Sequence, residues 1–128
     1  MEPYAPPAVI AVVDDDESVR LATASLLRSC GWNVRTYASC SDLVAKLDES
    51  DFCLVIADVQ MPEMDGFALT KKLAERKPDI PVVFVTAYAT PTMVEKASAA
   101  GIVGFFTKPL DDAMFLSRVA EISSKAPR

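Results

Sequence analysis

The sequence predicts a single α/β domain: a doubly wound, five-stranded parallel sheet of order 2-1-3-4-5, with five helices covering its two faces. Three observations point there. Along 128 residues, five apolar runs alternate with five segments of helical periodicity, the signature of repeated βα units. The first, third and fourth runs hold Val9–Val13, Cys53–Ala57 and Val82–Val85 and are apolar throughout, as strands are when helices bury both faces of a sheet. Acidic residues follow the first and third of these runs. In a sheet of that order the crevice between strands 1 and 3 collects whatever stands at their carboxyl ends.

Residues 1–7 contain Pro3, Pro6 and Pro7 without periodicity, so a flexible arm is expected. The domain proper is expected over 8–124, and a tail or linker stub over 125–128. Strand 1 is expected over 8–13. Helix 1 is expected over 17–30, with Val19, Ala22, Leu26, Leu27 and Cys30 inward and Gly31 as its stop. Strand 2 follows over 33–37. Helix 2 is expected over 41–49, with Ser39 or Ser41 as cap and Leu43, Val44 and Leu47 inward. Strand 3 covers 52–57. Helix 3 covers 66–76, capped by Asp65, with Leu69 and Leu73 inward. Strand 4 covers 81–86. Helix 4 covers 91–100, opened by Pro91 and stopped by Gly101. Strand 5 covers 103–107. Helix 5 covers 111–124, with Phe115, Val119 and Ile122 inward. Met61, Met64, Met93 and Met114 are expected to pack.

Composition removes several functions. The net charge is −5 and no basic stripe is present, so direct nucleic-acid binding by this domain is not expected. No apolar stretch reaches the length of a membrane span, and the N-terminus lacks a basic segment of the secretory kind. Three cysteines without a CxxC spacing read as reduced thiols in a cytoplasmic protein. Cys30 and Cys53 are expected as small core residues. Histidine is absent, which excludes Ser-His-Asp and Cys-His nucleophiles and imidazole metal ligands.

What remains is a constellation at four strand ends: Asp14-Asp15 after strand 1, Asp58 after strand 3, Thr86-Ala87 ending strand 4, and Lys108-Pro109 after strand 5. Two or three carboxylates with loop carbonyls make a hard oxygen site suited to Mg²⁺ or Mn²⁺. Such an ion lets an anionic phosphoryl group approach acids that would otherwise repel it. A carboxylate can act as nucleophile and form an acyl phosphate. Phosphoryl transfer asks chiefly for positioning and charge neutralisation, and the Lys108 ammonium and Thr86 hydroxyl are suited to phosphoryl oxygens. Asp16 reads as a helix cap.

The segments Val13-Asp14-Asp15-Asp16-Glu17, Asp58-Val59-Gln60-Met61-Pro62-Glu63-Met64-Asp65-Gly66, Val85-Thr86-Ala87 and Phe106-Thr107-Lys108-Pro109, in this order, resemble the receiver domain of bacterial two-component response regulators. The CheY-like superfamily is meant, with a FixJ-type flavour in the stretches around Asp15 and Lys108. The resemblance covers about Val9 to Ile122. It implies that Asp58 accepts a phosphoryl group from a sensor histidine kinase or phosphotransfer protein. It implies Asp14, Asp15, Asp58 and the Gln60 backbone carbonyl as metal ligands, Lys108 as partner of the phosphoryl oxygens, and a cis peptide before Pro109. It implies a switch in which Thr86 moves and Phe105 changes rotamer, with Tyr88 shielding the phosphoryl group or meeting a partner. The expected output is the face of helix 4, strand 5 and helix 5, through a homodimer or a downstream effector domain or protein. The expected chemistry is a switch that catalyses only its own aspartyl phosphorylation and dephosphorylation, without membrane or nucleic-acid partners.

Three rival classes are weaker on the residues, and against one of them, an unphosphorylated pseudo-receiver acting purely as an interaction module, the complete acid, Thr and Lys set argues. An aspartyl phosphatase commonly carries a second carboxylate two residues after the nucleophile, where Gln60 stands. A flavin binder needs a phosphate loop after strand 1, where Asp14-Asp15-Asp16-Glu17 would repel the phosphate.

Overall fold

The structure, a computed structural model, describes residues 8–125. The arm expected over 1–7 lies outside the described residues, as does the tail apart from Lys125, which ends the last helix. The elements alternate as β1 (Val9–Val13), α1 (Glu17–Ser29), β2 (Asn33–Tyr37), α2 (Cys40–Ala45), β3 (Phe52–Asp58), α3 (Gly66–Arg76), β4 (Val82–Thr86), α4 (Pro91–Ala99), β5 (Gly104–Thr107) and α5 (Asp112–Lys125). The strands are all parallel, in the order β2-β1-β3-β4-β5.

The period-two alternation of the central strands builds two cores. Val9, Ala11 and Val13 of β1, Val55 and Ala57 of β3, and Val82 and Phe84 of β4 pack with Leu43, Leu69, Leu73 and Ala97 from α2, α3 and α4. The alternate residues Ile10, Val12, Leu54, Ile56, Val83 and Val85 pack with Ala24 and Leu27 of α1 and Phe115, Val119 and Ile122 of α5. A fully buried aliphatic side chain contributes about 1.5–3 kcal/mol. The two half-cores therefore hold β1 and β3 rigidly and fix their carboxyl ends side by side.

Each helix starts at the rim where the strands end, and each start is closed by a side chain. Asp16, Ser39, Asp65, Thr90 and Asp111 accept hydrogen bonds from the amides of Val19, Asp42, Ala68, Met93 and Met114. These caps satisfy donors that a helix N-terminus would otherwise leave open.

Four expectations need correction. Helix 2 is not continuous over 41–49. It starts at Cys40 under the Ser39 cap, ends at Ala45 and passes into a 3₁₀ turn, Leu47–Glu49, which still buries Leu47. Helix 1 ends at Ser29, so Cys30 caps its C-terminus and is exposed rather than in the core. The inward face of α1 is Thr23, Ala24 and Leu27, which leaves Ala22 exposed. Met114 is exposed, on the outer side of α5.

Candidate functional site

The parallel pairing of β1 with β3 and β3 with β4 brings three strand ends into register. Asp14, one residue past β1, is held by its own amide, which donates to the Tyr37 carbonyl at 3.1 Å. Asp58 is the last residue of β3. Both side chains are nearly buried, with 4% of Asp14 and 8% of Asp58 exposed, whereas Asp15 is exposed. One carboxylate oxygen from each of Asp14, Asp15 and Asp58 lies within 4.8 Å of the other two.

Lys108 ties the cluster together. Its backbone amide donates to the Thr86 carbonyl at 2.8 Å, which docks the segment after β5 against β4, and the following Lys108–Pro109 peptide is cis. Its ammonium donates to Asp58 Oδ2 at 2.7 Å and to Asp14 Oδ2 at 2.9 Å. The other oxygens are held by the backbone: Gln60 N–H donates to Asp58 Oδ1 and Asp16 N–H to Asp14 Oδ1, both at 2.9 Å. Every carboxylate oxygen of the two buried acids thus has a fixed donor, which desolvated charges require.

The electrostatics follow from burial. Desolvation pushes the Asp14 carboxyl above its ordinary value, and the nearby Asp58 charge adds to this. The Asp16 amide and Lys108 oppose it without cancelling it. For Lys108, burial acts downward, but its hydrogen bonds to Asp58 and Asp14 and their charges outweigh it, so the ammonium is held above its usual value. Lys108 therefore stays charged across the physiological range.

The remaining expected residues lie around this centre in different ways. Thr86 is fully buried. Its hydroxyl accepts from Tyr88 N–H at 3.3 Å and donates to the Tyr88 carbonyl at 3.2 Å, so it is engaged by its own loop. Tyr88 is 76% exposed and does not join the acids. Phe105 is half-buried and meets Phe84 edge-on, with ring centroids 6.4 Å apart. Gln60 is exposed and meets Asp58 through its backbone. The sequence reading passes over Arg20, whose guanidinium donates to the Asp14 carbonyl at 2.8 Å. Its signal was a basic residue early in a helix, where the dipole favours acids.

The donor set suits a hard divalent cation: carboxylate oxygens, no sulfur or imidazole, and one side open to water at Asp15.

Comparison with known proteins places the whole chain. Residues 10–120 match the family model of the response regulator receiver domain. The chain is 36% identical over 121 residues to the response regulator protein TmoT of Ectopseudomonas mendocina, covering 94% of this chain and 55% of that protein. It is 38% identical over 117 residues to the transcriptional regulatory protein ZraR of Salmonella typhimurium, covering 91% of this chain and 26% of that protein. The chain thus spans about half the length of TmoT, and less of ZraR. Among solved structures it resembles FIXJ-N, with a TM-score of 0.86 at 27% identity, covering 97% of this chain and 99% of that one. With this fold, an acid cluster at its rim and a family match over most of its length, the chain belongs to the response regulator receiver domains, the phosphoacceptor modules of two-component signalling.

Proposed function

We propose that Asp58 is the phosphoacceptor, that Asp14, Asp15, Asp58 and the Gln60 carbonyl hold Mg²⁺ or Mn²⁺, and that Lys108 and Thr86 receive the phosphoryl oxygens. The observation that carries this is the Lys108 bridge, with an ammonium shared at 2.7 and 2.9 Å between two buried carboxylates from different strands. A structural ion pair would need one acid. Here a second and a third crowd the same point, and local rules are broken in this way mainly at functional sites.

In the transfer, a carboxylate oxygen of Asp58 attacks phosphorus. The bond to the donor nitrogen of a sensor histidine kinase or phosphotransfer protein breaks, and imidazole leaves with the electron pair. The product is an aspartyl phosphate. A bound divalent cation would supply positive charge that neutralises the phosphoryl oxygens. The β3 and β1 ends hold Asp58 and Asp14 in place. Lys108 exchanges its carboxylate contacts for phosphoryl oxygens. Thr86 then has a choice of acceptor: donating to a phosphoryl oxygen requires it to release the Tyr88 carbonyl. That release frees the segment leading into α4, and Phe105 on neighbouring β5 repacks with it. The resulting change on the α4-β5-α5 face controls a homodimer or the docking of an effector domain or protein, in the cytoplasm. The chain catalyses only its own phosphorylation and dephosphorylation.

Incubation with acetyl phosphate and Mg²⁺, read by intact mass spectrometry, tests the reading. Wild type is expected to gain one phosphoryl group and Asp58→Asn none. A folded wild type that stays unmodified, or an Asp58→Asn variant modified to the same extent, would sink it. Beryllofluoride is expected to perturb chemical shifts on the α4-β5-α5 face in wild type and less in Thr86→Ala. A response confined to the rim refutes the coupling.

A further inference from the structure

Arg20 stands where a cation is least welcome. It lies four residues past the N-cap Asp16, in the turn where the helix dipole is positive. Its side chain is only 15% exposed. The ion pair available to it, with Glu17 at 3.9 Å, is long, and Glu17 is largely solvated, so it contributes little. The guanidinium instead reaches back over the rim and donates to the Asp14 carbonyl at 2.8 Å.

That contact completes a closed turn. The Arg20 side chain holds the Asp14 carbonyl, and the Arg20 amide holds the Asp16 carbonyl at 2.9 Å. Asp16 N–H is held by Asp14 Oδ1, and Asp16 Oδ1 by the Val19 amide. Asp15 sits in the middle of this turn. Among the described residues no hydrogen bond or ion pair holds its carboxylate, yet one of its oxygens lies within 4.8 Å of oxygens of Asp14 and Asp58. Only the backbone on either side can aim it.

We infer that Arg20 is a positioning residue for the cation site: it clamps the turn from Asp14 to Asp16 so that the Asp15 carboxylate faces Asp14 and Asp58. The inference rests on the metal-binding reading above and adds a residue outside the ligand set. Groups that orient ligands without touching the metal commonly set its affinity by roughly 10–100-fold. The planar guanidinium, with its fixed fork of donors, suits this task better than an ammonium.

Electrostatics alone predicts the opposite sign. Deleting a positive charge close to a cation site should tighten Mg²⁺ binding, whereas loss of the clamp should weaken it. The experiment is a calorimetric Mg²⁺ titration of the unphosphorylated chain at fixed ionic strength, for wild type, Asp15→Asn, Arg20→Met and Arg20→Lys. Thermal unfolding and amide exchange are followed in chelator. Arg20→Met keeps the apolar stem and is expected to raise the Mg²⁺ Kd by about 10-fold or more, with Arg20→Lys in between. In metal-free protein the Asp16 amide is expected to exchange faster in Arg20→Met. A Kd unchanged or lowered in Arg20→Met overturns the role of Arg20. If Arg20→Met does not fold, Arg20→Lys decides: a Kd equal to wild type overturns it. Failure of wild type itself to bind Mg²⁺, or full binding by Asp15→Asn, would instead remove the metal-site reading.

Discussion

Gly66 opens α3 against the end of β3, and Gly66→Ala probes how tightly that strand end is held. A Cβ there would lie 3.0 Å from Phe84 Cε1, 3.1 Å from Val59 Cα and 3.2 Å from the Asp58 carbonyl oxygen. None of the three yields easily. Two are backbone. The third belongs to a fully buried ring wedged edge-on between Phe67, at 5.0 Å between centroids, and Phe105 at 6.4 Å. Inserting a methyl group into such a place costs about 1–3 kcal/mol. Against this, alanine restricts the unfolded chain and gains about 0.4–1 kcal/mol. The balance is a loss of roughly 1–2 kcal/mol, or a fall in Tm of about 4–8 °C for a domain of this size. The displaced atoms flank Asp58, so phosphorylation by acetyl phosphate should slow as well. Urea and thermal unfolding with a phosphorylation time course check both. A rise in the unfolding midpoint would refute the reasoning, because it would mean that the neighbours give way at no cost.

Other predictions rest on separate features. In chelator, Asp14→Asn should stabilise the protein at neutral pH. Burial raises the Asp14 pKa above 3.8, so the fold favours the protonated acid, and wild-type stability declines as pH rises from below that value through the raised one. The advantage of the variant should shrink below about pH 4, and a variant less stable than wild type at pH 7 contradicts the sign. Glu63 has φ of 68° in the loop after β3. Glu63→Gly relieves roughly 1–2 kcal/mol and costs about 0.5–1 in unfolded-chain entropy, so chemical denaturation should show a net gain of up to about 1.5 kcal/mol, and a clear loss would disprove the strain. Phe115→Ala, at a fully buried ring facing Phe106 at 5.3 Å, should cost about 3–5 kcal/mol, and a loss below 1 in urea would show that α5 is not part of the core.

The sheet order was legible as the arrangement that fits best rather than as a proof: three runs were apolar on both faces, as central strands are, and the acids after the first and third of them fit a common rim. The end of α2 was not. Leu43 and Leu47 are four apart, which suits a continuous helix, but the chain turns at Lys46, with φ −111° and ψ 9°, and buries Leu47 from a 3₁₀ turn instead. A helix this short has little cooperativity to resist such a change. Cys30 was misplaced for a related reason: spacing counted from Val19 through Leu26 runs on to it, but α1 stops one residue earlier. At the site, the convergence of Asp14, Asp15, Asp58 and Lys108 was legible because charged residues at strand ends have few other places to go. The direction of the Thr86 hydroxyl was not legible, since it depends on the loop reaching Tyr88. Arg20 left only the faint mark of a basic residue early in a helix, which is easily passed over because one arginine on an amphipathic helix reads as solvated.

Charge counting supports the proposed divalent ion over a second lysine at this rim. With Asp14, Asp15 and Asp58 ionised, the rim carries three negative charges against one on Lys108. A divalent cation brings that sum to zero. Phosphorylation consumes the Asp58 charge but adds a group carrying about −1.5 to −2, so the modified rim is more negative by up to one charge. Lys108 has two carboxylate partners at rest, and its ammonium has one further hydrogen to give. It can reach phosphoryl oxygens fully only by loosening the bridge to Asp58 or Asp14. On the proposed reading, Asp14, whose charged form burial disfavours, would then depend on the cation for compensation. Phosphoryl chemistry and metal binding would be coupled at this rim through one ammonium, and a Lys108→Met variant should lose that coupling even where Mg²⁺ still binds.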